Sequence, residues 1–167
     1  MIMGRSIGSG PATLLASKRP AGCFFLFSPL LSVVDVAKSI PNIGWMASMF
    51  VSSDFFNNKN LIKNIQTPTF IIHGQRDEVV PFSHGQELHD LSPVHRDSKH
   101  LQAVPHMTHN NFMLEQDFIE PGMEFLNKIG LLKSPALRPI DIAPFIAQYH
   151  LLPLDAEYHA KSSFFCN

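Results

Sequence analysis

Short apolar runs separated by amphipathic stretches organise this chain. The runs Cys23–Phe27 and Thr69–His73 are almost continuously apolar, which is typical of strands covered on both faces of a sheet. Met1–Met3 has the character of the end of a strand, and Lys99–Val104 fits a further strand. The pattern therefore predicts buried strands spread along the chain rather than gathered into one hairpin-rich region.

Amphipathic segments follow these strands. Ser9–Lys18 predicts a helix that tolerates Pro11 in its first turn. Ser83–Leu91 fits a second helix, and Asn111–Ile129 fits a closing helix in which Pro121 predicts a break or kink. Because strands alternate with helices, the sequence predicts an α/β fold with a mostly parallel sheet flanked by helices.

Two segments lack clear periodicity. Residues 28–60, which include the single Trp45, predict a loop with short helices that covers a pocket. Beyond residue 131 the chain is rich in proline, which disfavours long regular helices. We therefore expect residues 1–131 to belong to one domain and residues 132–167 to form a Pro-rich C-terminal appendage.

Composition and charge narrow the possible functions. The 167 residues carry a net charge of −1 with no basic tract, which argues against a nucleic-acid partner. Cys23 and Cys166 form neither a C-x-x-C motif nor a disulfide framework, so a reduced, cytoplasmic setting is predicted. The apolar stretch 22–34 is too short to cross a bilayer, and Ser28-Pro29 interrupts it, so no transmembrane segment is expected.

The first candidate for chemistry is the G-x-S-x-G pattern Gly4–Gly8, between the first strand and the first helix. In a nucleophile elbow a sharp strand-to-helix turn lifts the serine, here Ser6, out of the sheet. Close packing of the turn would explain glycines on both sides, and the Ile7 amide would be one donor to an oxyanion. The alternative is a Gly-rich connection without catalytic meaning. Ser9 and Ser28 are the other serines that could act as nucleophile.

The second candidate follows the strand that ends at His73. Asp77 lies on a turn where a carboxylate could accept a hydrogen bond from an imidazole and fix its tautomer. The alternative is that Asp77 only caps the turn. Its neighbour Glu78 is expected to face solvent, and His73 to be a structural, hydrogen-bonded histidine.

The third candidate is the histidine-rich loop after Lys99–Val104. His109 opens the following helical segment and is the preferred general base, with His106 as the alternative. His100, His106 and His109 could in principle bind zinc together with carboxylates, but no H-x-x-x-H or C-x-x-C pattern supports a metal site.

The three candidates occur in an informative order. Ser6, Asp77 and His109 each follow a predicted strand, and the carboxyl ends of parallel strands lie at one edge of the sheet. The order serine, aspartate, histidine along the chain is that of α/β-hydrolases and differs from other serine triads.

From Met3 to Leu126 the chain resembles α/β-hydrolases, specifically the subgroup that acts as palmitoyl-protein thioesterases. The resemblance rests on these segments: Gly4–Pro11, Leu15-Ala16-Ser17, Ser28-Pro29-Leu30, Thr67-Pro68, His73-Gly74, Asp77-Glu78-Val79, Phe82–Gly85 and His109-Asn110. It implies Ser6 as nucleophile, Asp77 as orienting acid and His109 as base. It also implies an ester or thioester substrate such as an acylated protein, no metal or organic cofactor, and a cytoplasmic enzyme that meets membranes through its substrate.

The sequence departs from the family pattern in two places. The family usually has small glycines just before the histidine, and in this sequence Met107 and Thr108 replace them. The family also has four or more strands before the elbow, together with a loop that supplies a second oxyanion donor. The sequence is therefore interpreted as the C-terminal half of an α/β-hydrolase domain without its N-terminal strands. Little or no reaction of this chain with a serine-directed probe is expected from that interpretation, and the alternative is an inactive fragment that acts as an interaction module or self-associates through an exposed sheet edge.

Overall fold

The fold is built on a four-stranded parallel sheet, which positions the candidate site residues. The computed structural model describes residues 1–39 and 56–133. The strands are β1 (Ile2–Arg5), β2 (Phe24–Phe27), β3 (Thr69–Gly74) and β4 (Lys99–Val104). They lie side by side in chain order, and every neighbouring pair is parallel. The predicted parallel sheet is thus confirmed, with strand bounds within a few residues of those expected.

Helices connect these strands within the described part of the chain. The α-helices are α1 (Ser9–Lys18), α2 (Val33–Ser39), α3 (Asn58–Leu61), α4 (Phe82–Leu91) and α5 (Glu120–Lys128). Short 3-10 turns cover Ser6–Gly8, Ile62–Asn64, Arg96–Ser98 and Leu131–Lys133. None of these helices is both long enough and apolar enough to cross a bilayer. Two predicted features, the middle of the irregular segment with Trp45 and the appendage beyond residue 133, lie outside the described residues.

Alternating side chains of the central strands build two cores. Phe24 and Leu26 of β2 point to one face, where Ala12 and Ala16 of α1 and Leu88 of α4 cover them. The complementary set lies on the opposite face, with these residues: Cys23, Phe25, Phe27, Phe70, Ile72, Val104, Met107 and Phe125. Burial on both faces explains why β2 and β3 are apolar at nearly every position.

The closing helix differs from the sequence prediction at its beginning. A π-helix spans Leu114–Ile119 and continues directly into α5, so the helical segment starts three residues after Asn111. Pro121 occupies the first turn of α5, where the missing amide donor is tolerated. The break predicted at Pro121 is therefore a change from π to α geometry just before the proline, with no interruption of the helical segment.

Candidate active site

The turn after β1 has the backbone of a nucleophile elbow. Ser6 has a φ of +51°, in the left-handed region that residues other than glycine rarely adopt. It directly follows β1 and opens the 3-10 turn that leads into α1. Such local strain is common at functional sites because the surrounding packing holds it in place.

Only one of the two flanking glycines is required by packing. A Cβ on Gly4 would lie 2.6 Å from both the Ala12 Cβ and the Gly8 carbonyl oxygen. A Cβ on Gly8 would meet nothing within 4 Å. The expectation that close packing excludes side chains on both sides of the elbow therefore holds for Gly4 and is wrong for Gly8.

Ser6, His109 and Asp77 form one continuous hydrogen-bonded chain. The Ser6 Oγ lies 2.9 Å from Nε2 of His109. The Nδ1 of the same ring lies 2.8 Å and 3.0 Å from the two carboxylate oxygens of Asp77. A ring that donates its Nδ1–H to Asp77 keeps a lone pair on Nε2, directed at the serine hydroxyl. The three residues predicted as a set are brought together in the order that proton transfer from a serine requires.

The Asp77 carboxylate is held by backbone as well as by the imidazole. Its Oδ1 accepts hydrogen bonds from the amides of Val79, at 3.0 Å, and Val80, at 2.8 Å. Burial alone would raise the pKa of Asp77, but the hydrogen bonds from Val80, His109 and Val79 outweigh it and lower the pKa below its ordinary value. Asp77 therefore accepts hydrogen bonds both from its own turn and from the His109 ring, so each of the two interpretations of this residue has a contact that supports it.

His73 lies beneath this carboxylate, fully buried. Its Nε2 is 2.8 Å from the Val80 carbonyl oxygen and 3.6 Å from Oδ2 of Asp77. Burial lowers the pKa of His73 below its ordinary value, so the ring is neutral near pH 7 and donates Nε2–H to Val80. Gly85 packs against the ring's other side, where a Cβ would lie within 2.4 Å of Nδ1. The interpretation of His73 as a structural, hydrogen-bonded histidine fits these contacts.

His106 has a different partner. Its Nε2 lies 3.1 Å from Oδ2 of Asp117, a buried carboxylate that also accepts from the Met113 amide. The ring thus ties the loop after β4 to the π-helix. His100 stacks on Phe70, with ring centres 5.5 Å apart. Within residues 1–39 and 56–133, no group of three or more His, Cys, Asp or Glu side chains is arranged to hold a metal ion.

The two alternative nucleophiles are inaccessible. Ser9 and Ser28 are both completely buried. The Ser9 hydroxyl accepts hydrogen bonds from the Leu30 amide, at 3.3 Å, and from Nδ2 of Asn58, at 3.1 Å. This buried network ties the loop after β2 to α1 and α3, and sequence patterns gave no sign of it because its members lie far apart along the chain.

Two contacts to the His109 segment also escaped sequence analysis. The exposed Glu78 accepts a long hydrogen bond, 3.4 Å, from the His109 amide. Arg5, next to Ser6, donates to the His109 carbonyl oxygen at 2.6 Å and to the Oδ1 of Asn110 at 3.2 Å. An arginine inside a G-x-S-x-G motif suggests no partner by itself, because its acceptors lie more than 100 residues away in sequence and become neighbours only in the folded chain.

An apolar surface flanks the site on the β1 side. A pocket of about 280 Å³ is lined by these residues: Met1, Met3, Phe25, Phe118, Ile119, Gly122, Met123 and Leu126. A second pocket of about 170 Å³ is lined by these: Met3, Arg5, Phe27, Phe112, Leu114 and Phe118. The two pockets share Met3 and Phe118, so together they form one apolar surface that reaches the residue beside Ser6.

The parallel four-stranded sheet with flanking helices is the fold of part of an α/β-hydrolase domain. Over 127 residues it is 31% identical to Alpha/beta hydrolase domain-containing protein aho-3 of Caenorhabditis elegans, covering 76% of this chain and 36% of that protein. Over 88 residues it is 39% identical to the human Alpha/beta hydrolase domain-containing protein 17B, covering 53% of this chain and 28% of the relative. The chain thus spans roughly a third of the length of the curated relatives it matches.

Solved structures agree on the fold. Est1E from Butyrivibrio proteoclasticus superposes with a TM-score of 0.58 at 17% identity, covering 77% of this chain and 60% of that one. Acetyl Xylan Esterase 1 from Thermoanaerobacterium superposes with a TM-score of 0.55 at 21% identity, covering 77% and 44%. No family model matches the sequence.

Proposed function

We propose that this chain carries the nucleophile, base and acid of a serine hydrolase that acts on ester or thioester bonds. The observation that carries the proposal is the hydrogen-bonded path from Ser6 Oγ through His109 to Asp77, at 2.9 Å and 2.8 Å. The esterases among the solved structures with this fold support a hydrolase in general.

The proposed reaction proceeds through an acyl-enzyme. Ser6 Oγ attacks the acyl carbonyl carbon while Nε2 of His109 takes the hydroxyl proton. The imidazolium, stabilised by Asp77, then protonates the departing alcohol or thiol as the bond to the acyl carbon breaks. Water, deprotonated by the same imidazole, attacks the acyl-serine and releases the acid. The Ile7 amide, at the first position after the nucleophile, is the proposed oxyanion donor.

We further propose that the acyl group is long and apolar, as in a palmitoylated protein. The apolar surface formed by the two pockets supports this, because the pockets share Met3 and Phe118 and one of them is lined by Arg5, the residue before Ser6. An acyl chain there would gain about 0.8 kcal/mol for each methylene group that leaves water. The proposed reaction uses no metal or organic cofactor.

The experiment is covalent labelling of the 167-residue chain with a fluorophosphonate, followed by intact-mass spectrometry and peptide mapping. The expected result is a single adduct on Ser6 that forms slowly. It should be absent in Ser6→Ala, which removes the hydroxyl, and in His109→Ala, which removes the base that activates it. His106→Ala is the matched control and should label like the parent, since its ring bonds Asp117 instead. An adduct that persists in Ser6→Ala, or a parent that gains no adduct after prolonged incubation, would contradict the proposal.

A second candidate function is self-association through the edge of the sheet. Within the described residues β1 pairs with β2 alone, which leaves its other edge without a strand. Met1 and Met3 beside that edge are 73% and 54% exposed. Unpaired strand edges flanked by apolar side chains are templates for pairing with another chain.

A further inference from the structure

Arg5 links the nucleophile's strand to the loop of the histidine. It is the last residue of β1 and directly precedes Ser6. Its Nη2 donates to the His109 carbonyl oxygen at 2.6 Å and to Oδ1 of Asn110 at 3.2 Å. One side chain therefore connects the backbone next to the proposed nucleophile with the backbone of the proposed base.

Two aromatic rings fix the direction of this side chain. The guanidinium carbon lies 5.4 Å from the centre of the Phe27 ring and 5.6 Å from that of Phe112. The two rings meet edge to face, with centres 4.8 Å apart. Cation–π attraction at such distances favours a guanidinium over an aliphatic side chain, and the planar group donates hydrogen bonds while its face contacts a ring.

The Arg5 guanidinium bonds neutral acceptors, so its contribution is to position the His109 loop rather than to neutralise a charge. Within residues 1–39 and 56–133 the structure pairs Arg5 with no carboxylate, and its acceptors are a neutral carbonyl and an amide oxygen. The other tether from the His109 backbone to a neighbouring element is its amide's bond to Glu78, and at 3.4 Å that bond is weak. Of these two bonds to the His109 backbone, the short one from Arg5 is therefore the stronger, while Asp77 and Ser6 bond the imidazole ring itself.

We propose that Arg5 is a positioning residue that holds the His109 backbone so that the ring stays between Ser6 and Asp77. The inference rests on the proposed hydrolase function for its catalytic consequence. Its structural consequence, the ordering of the 105–112 loop, is independent of that function.

The test uses the full 167-residue chain with Arg5→Met, Arg5→Lys and Arg5→Ala. Arg19→Met is the matched control, because Arg19 is also exposed but follows α1 at the far end of that helix. Hydrogen–deuterium exchange should speed up in peptides covering 105–112 in Arg5→Met and Arg5→Ala, and remain unchanged in Arg19→Met and Ser6→Ala. The fluorophosphonate inactivation rate at saturation should fall about 10- to 100-fold in Arg5→Met, with little change in the probe concentration for half-saturation.

Rescue separates positioning from general structural damage. Guanidinium ions added to Arg5→Ala should restore part of the labelling rate in a saturable way, because Arg5 is exposed and its guanidinium contacts the Phe27 and Phe112 rings from that exposed position. Arg5→Lys should retain more activity than Arg5→Met, since an ammonium still donates one hydrogen bond. Neither treatment would repair a loop that had lost its packing.

Unchanged exchange in 105–112 in Arg5→Met overturns the proposal, whatever the labelling shows. The proposal is also overturned if Arg5→Met changes only the probe concentration for half-saturation, or slows reaction only with negatively charged substrates. Either result would make Arg5 a substrate-binding residue. If the parent chain gains no adduct at all, the proposed hydrolase function fails, and the exchange experiment alone decides whether Arg5 orders the loop.

Discussion

Asp77 shows at the residue scale how burial and hydrogen bonding compete. Its side chain is fully buried, and the carboxylate accepts hydrogen bonds from two backbone amides and from the His109 ring. These donors stabilise the charged form, so they lower the pKa of Asp77 against the opposing effect of burial. The same donors make the ionised carboxylate a stabilising element of the folded chain.

This arrangement predicts a pH-dependent stability difference between the parent and Asp77→Asn. A carboxylate whose folded pKa is lowered contributes stability that is fully present above the unfolded pKa, about 3.9, and is lost as the pH falls through the folded value. The midpoint of thermal unfolding of the parent should therefore exceed that of Asp77→Asn near neutral pH, and the margin should shrink below about pH 4.

Differential scanning calorimetry across that pH range is the measurement. Asp90→Asn removes a carboxylate that is largely exposed on α4 and gives the background for losing one acidic side chain. A parent-to-Asp77→Asn margin that stays constant down to pH 3, or that widens on acidification, would show that the Asp77 charge does not stabilise the fold.

Candidate site residues could be predicted from the sequence where each one follows a recognisable strand. Ser6, Asp77 and His109 each follow a strand, and parallel strands bring their carboxyl ends to one edge, so the sequence order sufficed to group them. Arg5 could not be found in this way, because its partner is a backbone carbonyl on a distant loop. Choosing His109 over His106 likewise depended on loop position, and the observed bond of His106 to Asp117 has no sequence signature.

At the scale of elements, the elbow is a contact between β1 and the start of α1. Gly4 faces Ala12 and the Gly8 carbonyl at distances that leave no room for a Cβ. Gly8 has a helical backbone, with φ −64° and ψ −14°, and a Cβ added to it would meet no atom within 4 Å. The symmetrical sequence pattern therefore hides an asymmetry, since only the first glycine allows strand and helix to approach this closely.

Gly4→Ala and Gly8→Ala should consequently have different effects on the free energy of unfolding. Gly4→Ala forces backbone apart at the elbow and should lower the free energy of unfolding by about 1–3 kcal/mol. Gly8→Ala meets no atoms and restricts the unfolded chain, so it should be neutral or stabilising by about 0.4–1 kcal/mol. Urea unfolding followed by circular dichroism measures both. Equal destabilisation by the two substitutions would mean that Gly8 is constrained by something other than space for a Cβ.

Strands and helices were largely foreseeable because periodicity reports burial directly. β2 and β3 are apolar at nearly every position because both faces are buried, and α1 has the bounds its pattern predicts. The π-helix before α5 was not foreseeable. Its geometry accompanies the Asp117 carboxylate, which accepts from the Met113 amide at 2.7 Å one turn back, and no propensity encodes that contact.

At the scale of the whole molecule, the sheet is asymmetric. β1 is an edge strand within the described residues, although Ser6 at its end belongs to the proposed active site. The apolar surface around Met3 and Phe118 continues from that edge. An edge of this kind is expected to pair or be covered, because natural sheets usually protect their open edges with charge, proline or a covering element.

Self-association of the 167-residue chain should therefore depend on Met3. Sedimentation velocity across a range of concentrations should show the parent shifting from monomer to dimer. Met3→Lys places a charge at the open edge, where desolvating it opposes strand pairing, and should raise the dimer dissociation constant at least about tenfold, equivalent to 1.4 kcal/mol. Leu15→Lys is the matched control, since Leu15 is 50% exposed on α1, away from β1. A parent that stays monomeric throughout, or a Leu15→Lys chain that dissociates as readily as Met3→Lys, would remove β1 as the basis of association.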